Sequence, residues 1–95
     1  MSDALRGRWK RVTQSPCETQ YPLTLELREA TFLGGKGPGQ RFIVWDAGQY
    51  EIVDASHIKL QTASDELVVY QFHLSGDTVT FRDPSNCQFQ YRRSP

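Results

Sequence analysis

The stretch Tyr21-Pro22-Leu23-Thr24-Leu25-Glu26-Leu27-Arg28 decides the fold class. Tyr21, Leu23, Leu25 and Leu27 alternate with Thr24, Glu26 and Arg28, and a period of two describes a strand with one buried face and one wet face. Outward from it, strand-type residues recur over Gly7 to Val12, Gln40 to Trp45, Gln49 to Val53, His57 to Thr62, Leu67 to Leu74, Thr78 to Arg82 and Cys87 to Arg93. With Tyr21 to Arg28 this makes about eight short strands. No stretch keeps an apolar stripe at helical spacing, so almost no helix is expected.

The connections are short. Asp46-Ala47-Gly48, Ala63-Ser64-Asp65, Ser75-Gly76-Asp77 and Asp83-Pro84-Ser85-Asn86 have hairpin length and turn chemistry, too short for a parallel crossover. Sequential antiparallel strands follow. Only Leu33-Gly34-Gly35-Lys36-Gly37-Pro38-Gly39 is longer, and its glycines mark it as a candidate flap. About eight up-and-down strands bury their apolar faces most completely by closing on themselves, which also removes the edges. The expected architecture is all-β: one domain over residues 1–95, a small closed antiparallel up-and-down barrel.

Composition narrows the function classes. The chain has 95 residues, with 11 Lys and Arg against 11 Asp and Glu, a formal net charge of +0. That balance lacks the electrostatic footprint of a nucleic-acid or anionic-membrane binder. No apolar run approaches the roughly 18–20 residues that span a bilayer, and the opening Met1 to Arg6 lacks an apolar leader core. The sequence therefore predicts a cytoplasmic protein with no membrane or nucleic-acid partner. Cys17, Cys87, His57 and His73 lack the paired spacing of a zinc site, and neither a metal nor a cofactor is expected.

Leu5-Arg6-Gly7-Arg8-Trp9-Lys10 and Phe89-Gln90-Tyr91-Arg92-Arg93 together resemble the Gly-x-Trp signature and terminal arginine of the lipocalin and fatty-acid-binding (calycin-type) barrels. The resemblance implies that Gly7 starts the first strand in a tight bend. Trp9 would close one end, and Arg93, with Arg92 as the alternative, would stack over its ring. The chain is shorter than a typical lipocalin and lacks that family's terminal helix. Short bacterial lipocalin-like domains and the barrel-shaped bacterial inhibitors of metalloproteases are the nearer comparison.

If Trp9 closes the end where the first strand begins, the mouth lies at the other end, with Thr13 to Gln20, Asp46 to Gly48, Ala63 to Glu66 and Asp83 to Asn86 around it. Alternation predicts a crowded interior that includes Phe42, Val44, Tyr50, Tyr70 and Tyr91. Buried tyrosines need partners for their hydroxyls, so Tyr50, Tyr70 and Tyr91 either bond within the fold or give an apolar pocket a polar end. Arg11 falls on the inner face and needs an anion or solvent. By analogy with related barrels, Arg11 with Tyr91 or Tyr70 would hold a ligand's carboxylate head; an ion pair or a place at the rim is the alternative.

The same alternation points Trp45 and Ile43 outward, where Trp45 would mark a homodimer or partner surface. First-to-last strand pairing brings Cys17 and Cys87 together, as two neighbouring thiols or as a disulfide. Gly35 to Gly39 lacks the following helix that a phosphate loop requires. His57, His73, Glu26 and Glu51 show no catalytic constellation, and no enzymatic activity is expected. The expected function is a small-molecule binding barrel for an apolar or amphipathic ligand. The alternative is a protein-binding module, such as a protease inhibitor or assembly factor, with a filled interior.

Overall fold

The computed structural model describes residues 4–94. Met1 to Asp3, part of the opening read for a leader, lie outside the described residues. Eight antiparallel strands close into one barrel in sequence order, β1-β2-β3-β4-β5-β6-β7-β8. They are β1 (Gly7–Arg11), β2 (Thr24–Leu27), β3 (Thr31–Gly35), β4 (Ala47–Asp54), β5 (His57–Gln61), β6 (Leu67–Ser75), β7 (Thr78–Arg82) and β8 (Gln88–Arg93), with one 3₁₀ turn at Pro16–Glu18. β8 returns to β1 with Trp9 opposite Arg93, Lys10 opposite Arg92 and Arg11 opposite Tyr91. Every strand then has two neighbours and no edge is left to pair with another chain.

Period-two alternation sets the interior. Trp9, Leu25, Leu27, Phe32, Ile58, Leu60, Val79, Phe81, Phe89 and Tyr91 are buried, with Tyr50, Ile52, Val68, Phe72 and Leu74 packed against them. These side chains pack on one another between neighbouring strands: on the β7–β8 wall the Phe81 and Phe89 rings lie 5.8 Å apart, as do those of Phe81 and Tyr91. An interior of eight short strands is just wide enough for such side chains to fill.

One expected strand is misplaced. Gln40 to Trp45 is not a strand, and the third is Thr31–Gly35 instead. Gly34 lies opposite Leu25 in the β2–β3 ladder, and a Cβ there would overlap the Trp45 carbonyl oxygen. The bare glycine lets the chain fold back over the end of β3, where the Gly34 N–H donates to the Asp46 carbonyl at 2.7 Å. Residues 36–46 thus cross the end of the barrel as a loop, and Ala47-Gly48, expected as a turn, begin β4. Alternation does not govern a loop. Phe42, expected inside, is 57% exposed, and Trp45, expected outside, is 0% exposed.

Candidate functional site

The end where β1 begins carries the plug. Gly7 has φ 136°, a conformation other residues rarely adopt, and a Cβ there would lie 2.8 Å from Arg93 Nη1. The Arg93 guanidinium sits 4.3 Å from the centroid of the Trp9 ring. It is fixed there by donating from Nη1 to the Arg6 carbonyl at 2.9 Å and from Nη2 to the Ala4 carbonyl at 2.7 Å. The Trp9 indole N–H donates to the Leu5 carbonyl at 2.9 Å, and Leu5 is itself buried. Gly7, Trp9 and Arg93 therefore meet as the resemblance implied. Arg92 points outward, and the contribution of Leu5 is one that alternation could not reveal.

The opposite end, expected to be the mouth, is covered. Trp45 lies at its centre, with ring centroids 4.8 Å from Tyr21, 4.9 Å from Tyr70 and 5.2 Å from Phe81. Backbone bonds hold it: Val44 N–H donates to the Gln20 carbonyl at 2.7 Å, and Ala63 N–H to the Val44 carbonyl at 2.8 Å. Trp45 is therefore not a partner surface. Its indole N–H is buried with no hydrogen bond of normal geometry among the described residues, although Tyr70 lies beside it. Tyr21 covers the Phe89 ring at 4.1 Å and donates its hydroxyl to Asp83 Oδ2 at 2.7 Å. Asp83 Oδ1 in turn accepts the Cys87 N–H at 2.8 Å.

Cys17 and Cys87 form a disulfide with Cα atoms 5.8 Å apart. It staples the 3₁₀ turn, and with it the chain covering this end, to the start of β8. The candidate flap is also tied down: Gln40 Oε1 accepts the Gly37 N–H at 2.6 Å, and its Nε2 donates to the Tyr21 carbonyl at 2.7 Å.

Of the four residues read as ligand-binding, Arg11 and Tyr91 stand opposite each other in the β1–β8 ladder and Tyr70 and Tyr91 both lie against Trp45, but they are engaged within the fold. Arg11 Nη1 pairs with Glu18 Oε1 at 3.0 Å, and the two side chains are 11% and 1% exposed. Glu18 also accepts from Thr13 Oγ1 and Ser15 Oγ, each at 2.7 Å. Arg11 thus adopts the ion-pair alternative, leaving only its Nε buried and unpartnered among the described residues. The Tyr91 hydroxyl donates to the Pro22 carbonyl at 2.6 Å, and that of Tyr50 to the Arg28 carbonyl. Tyr70 stands in the Trp45 cluster. Burial pushes the phenols of Tyr21, Tyr70 and Tyr91 up from their ordinary value. For Tyr21 the bond to Asp83 adds to the rise, and for Tyr91 the Arg11 charge offsets part of it.

Glu18 was not foreseen, since it lies in a segment with no periodicity; Arg11's need for an anion was the available signal. Elsewhere, Asp54 pairs with His57 at 2.8 Å across the β4–β5 turn, and both are exposed. Among the described residues no group of three or more His, Cys, Asp or Glu could hold a metal ion. No family model, curated protein or solved structure matches this chain. The closed eight-strand antiparallel barrel fits a calycin-like fold.

Proposed function

We propose that this chain is a protein-binding module that works through its outer surface, built on the plan of a short lipocalin-like barrel. The observation that carries the reading is the interior: its buried side chains form one continuous cluster, and both ends are covered, by Trp9 at one and Trp45 with Tyr21 at the other. A carrier of apolar ligands needs a concave site with a few convergent polar groups. Here Arg11, Tyr50 and Tyr91 already satisfy partners within the fold. Nothing in the arrangement supports an enzymatic reading. The Cys17–Cys87 bond supports an oxidising compartment over the cytoplasm that the sequence predicted.

One observation favours the small-molecule reading, namely the unpartnered Trp45 indole N–H, which would suit a small acceptor inside the barrel. Native mass spectrometry of protein purified from its own host separates the two. The surface reading expects the mass of the bare chain. A retained guest of about eight or more heavy atoms would overturn it in favour of a carrier.

A further inference from the structure

The molecule is neutral overall, yet its charges are not mixed. Strands β7, β8 and β1 are neighbours in the barrel, and four of their outward positions are cations: Arg8, Lys10, Arg82 and Arg92. The other outward positions on these strands are Thr78, Thr80, Gln88 and Gln90, so this face carries no carboxylate. Most acids among the described residues lie elsewhere. Glu51 and Asp54 are on β4, Asp65 and Glu66 in the β5–β6 turn, and Glu18 and Asp83 are buried.

At the centre of this face Lys10 and Arg92 stand directly opposite each other, with Thr24 and Thr78 continuing the same row on either side. Like charges directly opposite in an antiparallel pair destabilise the ladder. Among the described residues neither Lys10 nor Arg92 has an ion-pair partner. The nearest acids are engaged: Glu26, opposite Arg8, pairs with Arg28 at 3.2 Å, and Asp77 at the rim faces Arg93 at 4.0 Å.

We propose that the outer face of β7–β8–β1 is a docking surface for an extended acidic segment of another protein. The proposal rests on the protein-binding reading above and names the chemistry of the partner. Charge complementarity selects the occupant. Arg8 and Lys10 repeat at every second residue of a strand, about 6.6 Å apart, which matches carboxylates at alternate positions of an extended chain. The outward positions hold no aromatic ring for stacking on bases and no large apolar side chain for insertion into lipid, so nucleic acid and membrane fit less well. A single small anion would remain hydrated on so open a face, whereas a segment with several charges engages the cations together.

A fluorescein-labelled (Glu-Ser)₅ peptide, titrated onto the full chain, tests this, with (Lys-Ser)₅ as the control. The acidic peptide should bind saturably at low salt and weaken about tenfold or more by 0.2 M salt. Lys10→Glu and Arg92→Glu each place opposite charges across the row, so both should lose about tenfold or more in affinity while melting no lower than the wild type. Lys59→Glu, on β5 across the barrel, should bind unchanged. Absence of saturable binding up to about 1 mM peptide, or full affinity in Lys10→Glu and Arg92→Glu, would overturn the proposal. So would a 20-nucleotide single-stranded DNA or phosphatidylserine vesicles binding about tenfold tighter than the peptide. Self-association that Lys10→Glu abolishes, read by sedimentation, would overturn it in favour of a second copy. The retained mass that would defeat the protein-binding reading is independent of all these titrations, so the two failures are distinguishable.

Discussion

The two ends of the barrel are each closed by a tryptophan, and they are closed by different means. Trp9 belongs to a strand. Its place follows from the β1–β8 register, and its cover is an arginine held by two backbone carbonyls. Trp45 belongs to a loop, and reaches the core only because residues 36–46 fold back over Gly34 while the segment bearing Tyr21 is stapled by a disulfide. A strand-borne plug is set by local alternation, whereas a loop-borne plug depends on tertiary fastenings.

Substitution of the tryptophans should give the largest effects. Trp45→Ala removes a fully buried ring with three aromatic neighbours within about 5 Å and should cost about 5 kcal/mol; Trp9→Ala should cost about 4 kcal/mol. Urea denaturation of the two variants measures both, and near-wild-type stability for Trp45→Ala would contradict the loop closure. The disulfide sharpens the contrast. Loss of a link across 70 residues should cost about 4 kcal/mol by chain entropy. Hydrogen exchange in Cys17→Ser/Cys87→Ser should show protection falling first at residues 12–23 and 36–46, with the Trp9 end opening later. Uniform loss of protection would mean that the two ends are not independently fastened.

This difference also explains what the sequence discloses. Trp9 and Arg93 lie on strands, so alternation selects Arg93 over Arg92 for the pairing that the resemblance to lipocalin-type barrels implies, and the neighbourhood of Cys17 and Cys87 follows from closure. Trp45 defies alternation because Gln40 to Trp45 has strand composition but is a loop, where period two does not hold. Phe42 and Trp45 are consequently interchanged. Nothing local distinguishes Gly34 as the crossing point, since that role depends on a carbonyl eleven residues away. Glu18 was hidden for a related reason: a 3₁₀ turn of three residues has no period to detect.

An effect of intermediate size is expected with alkali. Tyr21, Tyr70 and Tyr91 have folded-state values raised above the ordinary 10.0. Their contribution to stability is fully present below about pH 10 and is lost as the pH rises from there toward the folded values, because the unfolded chain then releases protons that the folded chain retains. Absorbance at the tyrosinate band should show these three phenols ionising only as the protein unfolds. Ionisation of all three in a barrel that keeps its circular dichroism would break the assignment, since Tyr21 and Tyr70 belong to the loop end and Tyr91 links β8 to Pro22.

The smallest effect belongs to the plug's cover. Arg93→Leu removes the cation over Trp9 but leaves the ring and Leu5 in place, and should cost about 1–2 kcal/mol. Thermal melting against Trp9→Ala measures the ratio. Equal losses would mean that Arg93, through the Ala4 and Arg6 carbonyls, holds this end as strongly as the indole does.

The Cys17–Cys87 bond also divides the chain under load. The chain enters β1 and leaves β8 at the Trp9 end, because Trp9 lies opposite Arg93 in an antiparallel pair. Traction on the two termini therefore pulls the β1–β8 seam apart from that end, one hydrogen bond after another, and the tension reaches the sulfurs once residues up to Cys17 and beyond Cys87 are drawn out. The intervening polypeptide, which contains β2 to β7, then lies in a covalent ring that carries no force. Mechanically the molecule is a tethered hoop, able to lengthen by the segments outside the two cysteines while the polypeptide between them is shielded from tension.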